Sequence, residues 1–342
     1  MASSRKTTAL ILAAGKGTRM KSEHPKVLHS LMGKPLVSYV IHACQKAGVH
    51  DTVLVIGHQA DRVRNTLGED FIYVEQTEQL GTGHAVMVSR DSLKNIRGDL
   101  LVLAGDTPFL TGKILKSLIS KHQKSNAAIT MMTALMDPPL AYGRIVRDSN
   151  RCIQRIVEAR DASPDEKKIK EVNTSHYCFK AEKLFPCLDR LSTNNDQGEY
   201  YLTDVIQMMA EDGELIESIT SRDSAVLMGI NSRVHLAEAH EMLGRQIKTK
   251  WMENGVTILD PASVYIEPDV RIGIDTIIYP GTALMGKTRI GTRCTIGPYV
   301  KITDSDIKDD CKLEFSVIEK RKLDKNNIIG PFAFLTGEID MD

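Results

Sequence analysis

The apolar positions of this 342-residue chain follow two patterns that meet near residue 230. In the first, short uninterrupted apolar runs (TALILAA, TVLVIG, LLVLAG, AAITMMTA) alternate with segments of helical period. Apolar residues at successive positions are what strands buried on both faces require. Between the first two runs lies PLVSYVIHACQKAG, where Leu36, Val40, Ile41 and Cys44 share one helical face and Gly48 stops the helix. This strand–helix–strand rhythm predicts an α/β domain over 1–230, with a mostly parallel sheet covered by helices on both sides. A helical pattern marked by Leu236, Leu243, Ile247 and Trp251 predicts a linker helix over 231–254.

The second pattern has a different period. Ile266, Ile272, Ile278, Leu284, Ile290, Ile296 and Ile302 recur every six residues without a break. A left-handed parallel β-helix has this period, because each triangular coil takes three hexapeptides and turns one aliphatic residue inward per side. The register slips after Ile302 and continues imperfectly through Ile307, Leu313, Ile318 and Ile329. The reading is a short β-helix of roughly four coils over 255–342.

Composition narrows the function. With 44 basic and 44 acidic residues, the chain has no overall charge to seek nucleic acid or an anionic membrane, so any phosphate-binding surface is local. No run approaches membrane-spanning length. The six cysteines are scattered without C-x-x-C pairs, which points to reduced thiols and a cytoplasmic location.

The chemistry concentrates after the first strand, in LILAAGKGTRMKSEHPKVL. There Gly15 and Gly17 let the backbone approach a ligand and offer amides to phosphate oxygens. Arg19 and Lys26 add mobile charge. On these residues alone the segment is either a phosphate loop or a solvated basic turn. A second stretch, GTALMGKT from Gly281 to Thr288, matches the nucleotide-binding P-loop letter for letter. Its Leu284 is a rung of the six-residue repeat and no helix follows, so it is read as a decoy. Asp106, at the end of the LLVLAGDTP strand, is a turn former or a metal ligand, and Asn231 on its own reads as a helix N-cap.

At these residues the chain resembles the sugar-phosphate nucleotidyltransferases. With EQTEQLGTGHAV, LAGDTPFL, AYGRIVRD, IVEARDAS, EVNTSHYCF and NNDQGEYYLTDVI, it is similar to the bacterial bifunctional N-acetylglucosamine-1-phosphate uridylyltransferase/glucosamine-1-phosphate acetyltransferase family. The resemblance implies a Rossmann-like nucleotidyltransferase domain followed by a short left-handed β-helix that assembles as a homotrimer. It implies transfer of uridylyl from UTP to N-acetylglucosamine 1-phosphate with release of pyrophosphate, assisted by Mg2+. Arg19 and Lys26 become the catalytic cations, and Asp106 and Asn231 the metal ligands. Leu12, Ala13, Ala14 and Gly15 become part of the substrate-binding loop. Gln76, Gly81 and Thr82 are implied contacts to uracil, and Gly143, Glu158 and Asn173 to the amino sugar. His24, His84 and His240 carry no role in this reading.

Two residues depart from the family pattern, Arg160 for a lysine and Ser175 for a glycine. The bifunctional members continue through further coils that hold the acetyl-transfer site. Here the chain ends in an acidic tail with Glu338, Asp340 and Asp342, so no acetyltransferase activity is expected. Two other readings stay open on the sequence: a pyrophosphorylase for another sugar 1-phosphate or nucleotide, and a catalytically silent regulatory or scaffold relative.

Overall fold

Alternate residues of the first strand, β1 (Thr7–Leu12), enter different apolar layers. Leu10 packs in one with Val53, Val55, Leu100 and Val102, while Ala9 and Ile11 pack in the other with Leu54, Ile56, Leu101 and Leu103. Such strands carry apolar residues at successive positions because both of their faces are core. The computed structural model describes residues 5–94, 96, 98–138, 142–223 and 229–337, so the acidic tail at 338–342 lies outside the described residues. The chain divides into two units, Met1–His29 with Pro35–His235, and Ser30–Lys34 with Leu236–Asp342.

The first unit is built on a nine-stranded sheet. Its strands are β1, β2 (Thr52–Ile56), β3 (Ile72–Glu75), β4 (Asp99–Ala104), β5 (Ile129–Leu135), β6 (Arg144–Arg147), β7 (Ile153–Val157), β8 (Glu171–Lys180) and β9 (Ile216–Ser221). The order is β9-β5-β8-β4-β1-β2-β3, with β6 on β8 and β7 on β6. β8 runs antiparallel to both β4 and β5, and β6–β7 is an antiparallel hairpin. Elsewhere along the sheet the pairs are parallel. The first predicted helix spans Leu36–Ala47 and ends at Gly48 in the left-handed region. β8 carries a bulge against β5: Asn173 faces Thr133 and Tyr177 faces Met131, so Thr174, Ser175 and His176 lie opposite Met132 alone. Ser175 takes a φ of 58° to make that bulge.

In the second unit the helix Arg233–Glu253, which begins in the first unit, half-buries Ile247 and Trp251 against the apolar core of the coils. Its Ala239 and Gly244 are fully buried, and Met32 of the Ser30–Lys34 segment packs near Gly244. The coils form three parallel sheets of five, five and four short strands. Ile266, Leu284 and Ile302 pair in one column at the expected eighteen-residue step, and then Ile302 pairs with Ile318 after only sixteen. Two sides account for that slip, from Ile302 to Ile307 and from Leu313 to Ile318, each five residues long instead of six, and a third five-residue side follows from Ile318 to Leu323. Every inward rung from Ile266 to Leu323 stays buried regardless.

The corners make this possible. Asp275, Arg293, Asp310 and Asn326 stack in one corner column, all at φ between 55° and 63°. Tyr299, Phe315 and Phe332 stack below Gly281 in a second, again at positive φ. The P-loop look-alike lies within these coils. Leu284 points inward, fully buried, and a β-strand at Arg289–Ile290 follows where a nucleotide loop would need a helix.

The inward and outward positions should differ in their energetic weight. Ile296→Ala, at a fully buried rung, should destabilise the second unit by about 2–5 kcal/mol. Ile328→Ala, at a site 74% exposed, should change stability by less than about 0.5 kcal/mol. Urea unfolding followed by the fluorescence of the single tryptophan, Trp251, reads this unit directly. Equal midpoints for the two variants would contradict the rung assignment.

Candidate active site

The loop after β1 is shaped by its glycines. Ala13 N–H still donates to Val55 O at 2.8 Å, so the strand geometry persists to the loop's edge. An added Cβ at Gly15 would meet no protein atom within 4 Å, so this backbone faces open space. Gly17 is different: at φ 60° its Cβ would stand 2.7 Å from Lys26 Cβ, and glycine lets the two halves of the loop close. Arg19 lies in the short turn Thr18–Met20, anchored by the buried Met20 side chain and by Met20 O, which accepts from Arg233 Nε at 3.2 Å. Lys26 opens the turn Lys26–Leu28, whose Val27 and Leu28 are buried.

Opposite these cations stands Asp106, just past β4. Its backbone carbonyl accepts from Ile230 N–H at 2.9 Å, and this brings Asn231 beside it across 125 positions of sequence (231 minus 106). Asn231 is not the N-cap that its sequence position suggests. Ser232 Oγ accepts from His235 N–H at 3.2 Å and caps the helix, and this leaves the Asn231 amide to the site. Its Nδ2 donates to Gly229 O at 3.2 Å, so Oδ1 faces the cations and accepts from Lys26 Nζ at 2.7 Å and Arg19 Nη2 at 3.0 Å.

Lys26 also donates to Asp106 Oδ2, so one ammonium bridges the two oxygens. That bridge tests whether the pair suits a divalent metal: both oxygens converge on one cation-sized point. A carboxylate plus an amide carbonyl is the sparse oxygen set that magnesium accepts when water and phosphate complete its shell. Among the described residues no cluster of three or more His, Cys, Asp or Glu side chains could hold a metal ion by itself.

The loop and Asp106 open onto a cavity of about 830 Å3 whose wall includes Leu12, Ala13, Ala14, Gly15, Lys26 and Asp106. Gln76, Gly81, Thr82 and Glu158 also line it. Gln76 is buried, and its Nε2 donates to Gly81 O and His84 Nδ1, both at 3.1 Å. Its Oε1 is the atom left for a ligand. Gly81 adopts φ 106°, and a Cβ there would stand 2.6 Å from Tyr200 O, so glycine is required for the loop to reach Tyr200. Thr82 Oγ1 accepts from Leu202 N–H at 3.1 Å, so this hydroxyl ties two walls together.

Burial raises the Glu158 carboxyl above its ordinary pKa, against the Thr203 hydroxyl that donates to it at 3.1 Å. The neighbouring Asp161 and Asp204 add to the rise. Gly143 lies against the Glu158 carboxylate, and its carbonyl accepts from Asn173 N–H at 2.8 Å. Asn173 stands one step back from the cavity. Its Nδ2 donates to Tyr177 Oη at 2.7 Å, its Oδ1 accepts from Ser175 N–H at 3.0 Å, and those two partners line the wall instead. Burial pushes the Tyr177 phenol pKa up, so it presents a neutral hydroxyl.

Several residues on or behind the wall had no individual sequence signal. His84 orients Gln76, Thr203 holds Glu158, and Tyr177 works with Asn173. The i, i+4 spacing of Asn173 and Tyr177 resembles a helix pair, and only the bulge in β8 makes them neighbours. Of the other histidines, His24 meets Leu28 O at 3.0 Å and His240 meets Ser30 O at 3.1 Å, and neither lines the cavity.

A family described as nucleotidyl transferase matches residues 8–256, and six bacterial transferase hexapeptide repeats match residues 269–304. The bifunctional protein GlmU of Clostridioides difficile (strain 630) is 46% identical over 333 residues, covering 97% of this chain and 72% of that protein. GlmU of Halalkalibacterium halodurans is 45% identical over 327 residues, covering 96% and 72%. A crystal structure of UDP-glucose pyrophosphorylase complexed with UDP-glucose shares the fold, with a TM-score of 0.57 at 19% identity over 71% of this chain and 99% of that one. On the strength of this sequence match along nearly its whole length, the chain belongs to the nucleotidyl transferase family and, within it, to the GlmU proteins.

Proposed function

We propose that this chain transfers uridylyl from UTP to N-acetylglucosamine 1-phosphate, giving UDP-N-acetylglucosamine and pyrophosphate. The observation that carries the reading is the convergence of Lys26, Arg19, Asp106 and Asn231 beside the glycine loop at the mouth of the cavity. A phosphate monoester oxygen attacks the α-phosphorus in line as pyrophosphate leaves. That oxygen is already anionic near neutral pH, so no side chain has to remove a proton. Catalysis reduces to positioning and charge neutralisation. The Gly15–Gly17 backbone receives the triphosphate, Arg19 steadies the departing pyrophosphate, and Lys26 reaches the reacting phosphates. Asp106 and Asn231 hold Mg2+, which when bound offsets charge on the phosphate oxygens. Glu158, with Gly143 beside it, Tyr177 on the wall and Asn173 just behind, receives the amino sugar. A cytoplasmic location and a homotrimer assembled through the coils belong to the same reading.

The base preference follows from one amide. With both Gln76 Nε2 hydrogens engaged, Oε1 accepts from uracil N3–H, whereas cytosine presents an acceptor at N3. UTP should be preferred to CTP by at least about a hundredfold in kcat/KM, and Gln76→Ala should narrow that ratio. Pyrophosphate release measured across the nucleoside triphosphates checks it, and equal use of UTP and CTP would refute the base assignment.

Asp106→Ala should abolish magnesium-dependent turnover, by more than about a hundredfold, with circular dichroism unchanged. Unchanged turnover would remove Asp106 from the metal site.

Arg19→Ala should lower kcat by about a hundredfold while moving the KM for the sugar phosphate little. A rise in that KM alone would place Arg19 on the sugar instead.

A further inference from the structure

His176 is fully buried and belongs to no part of the site described so far. Its ring lies between two threonines on different walls. Nε2 is 3.0 Å from Thr107 Oγ1, next to Asp106, and Nδ1 is 3.0 Å from Thr174 Oγ1, in the β8 bulge next to Ser175. We propose that His176 is a positioning residue that couples the metal-side turn at Asp106–Thr107 to the sugar-side bulge at Asn173–Ser175 through its two ring nitrogens. The inference rests on the functional reading above for the roles of the two walls.

A proton count gives the coupling its content. Thr107 Oγ1 donates to Ala104 O at 2.9 Å, closing the turn that carries Asp106. Thr174 Oγ1 donates to Met132 O at 2.9 Å, pinning the bulge to β5. Each hydroxyl has one proton, so with both directed at carbonyls both threonines can only accept from the ring. A neutral imidazole has a single N–H. Burial lowers the His176 pKa to about 4, so the ring is neutral at physiological pH. Four contacts must therefore share three protons.

Two arrangements satisfy the ring. With the proton on Nε2, Thr107 keeps its bond to Ala104 O, and the Thr174 hydroxyl turns from Met132 O to Nδ1. With the proton on Nδ1, Thr174 keeps Met132 O and Thr107 releases Ala104 O. The tautomer thus decides which wall is fully tied, and the two walls cannot both be tied at once. Tightening the turn that holds Asp106 loosens the bulge that carries Ser175 and Tyr177, and the converse holds.

The test uses side chains that keep one nitrogen position each. His176→Asn retains a partner near Thr174 and removes the one for Thr107, while His176→Gln does the reverse. In the asparagine variant nothing at the Nε2 position draws the Thr107 proton away from Ala104 O, so amide hydrogen exchange over 104–107 should slow, and Mn2+ affinity measured by electron paramagnetic resonance with UTP present should not weaken. In the glutamine variant nothing at the Nδ1 position draws the Thr174 proton away from Met132 O, so exchange over 173–176 should slow and the sugar-phosphate KM should not rise.

Thr107→Val, which keeps shape, unties the turn and leaves the ring free to hold its proton on Nδ1. Exchange should then quicken over 104–107 and slow over 173–176, with Mn2+ affinity about five- to tenfold weaker and the sugar-phosphate KM lowered. Thr174→Val should do the reverse, and these two variants carry the test if the His176 variants fail to fold. A variant that loosens its own wall and leaves the other unmoved would overturn the coupling. Matching profiles within each pair, or a lowered melting temperature with neither quantity moved, would reduce His176 to core filling. If the wild type fails to transfer uridylyl, the functional reading falls. The exchange measurement, which needs no substrate, still decides the coupling.

Discussion

One ammonium group organises this site. Lys26 places its charge between Asp106 and Asn231, and the Asp106 side chain keeps only 16% of its exposure. A carboxylate withdrawn that far from water is costly unless a cation stands against it. Satisfying it constrains three distant segments. Gly17 must be glycine for Lys26 to come close, Asp106 must sit at the end of β4, and Ile230 must bond back to Asp106 O for Asn231 to face inward. The same cation that stabilises the free chain stands where the proposed phosphate chemistry needs positive charge. Holding the fold together and preparing the site are here a single electrostatic arrangement.

The sugar side is organised differently, by backbone rather than by charge. β8 reverses direction relative to its neighbours, and its bulge turns three residues against one. Ser175 is held in the left-handed region, where a non-glycine residue is strained. That local cost brings Ser175 and Tyr177 to the cavity wall and leaves Asn173 just behind. Serine at 175 thus puts a side chain into the wall where the amino sugar is proposed to lie.

Much of this was legible because it depends on local periodicity. β1, β2, β4 and β5, the helix ending at Gly48 and the six-residue rungs all follow from which positions are apolar, and two-sided burial explains why no alternation was visible. The glycine loop was legible as an abrupt end to β1, and its backbone at Gly15 faces open space. What escaped was long-range or conformational. No spacing rule brings Asn231 to Asp106, and the helix-cap reading of Asn231 failed because Ser232, one residue later, supplies the cap. The β6–β7 hairpin and the direction of β8 depend on pairing partners that propensity does not name. Ser30–Lys34 belongs to the second unit although it lies inside the first domain of the chain, a contact-level fact that a linear boundary cannot express.

The three short sides of the coils have a consequence for how such a chain tolerates change. In a flat sheet, losing one residue sends every later side chain to the wrong face. Here each corner from Asp304 to Asn326 holds a left-handed residue, which resets the phase before the next side begins, and the rungs from Ile307 to Leu323 stay inward after three one-residue deletions relative to the six-residue rule. The corner columns accept Asp, Arg, Asn, Tyr, Phe and Lys as well as glycine, so the reset does not rely on one residue type. The domain behaves like a code with a punctuation mark after every word. A frameshift in one side is confined to that side, and sequence drift in length accumulates at the corners without reaching the core.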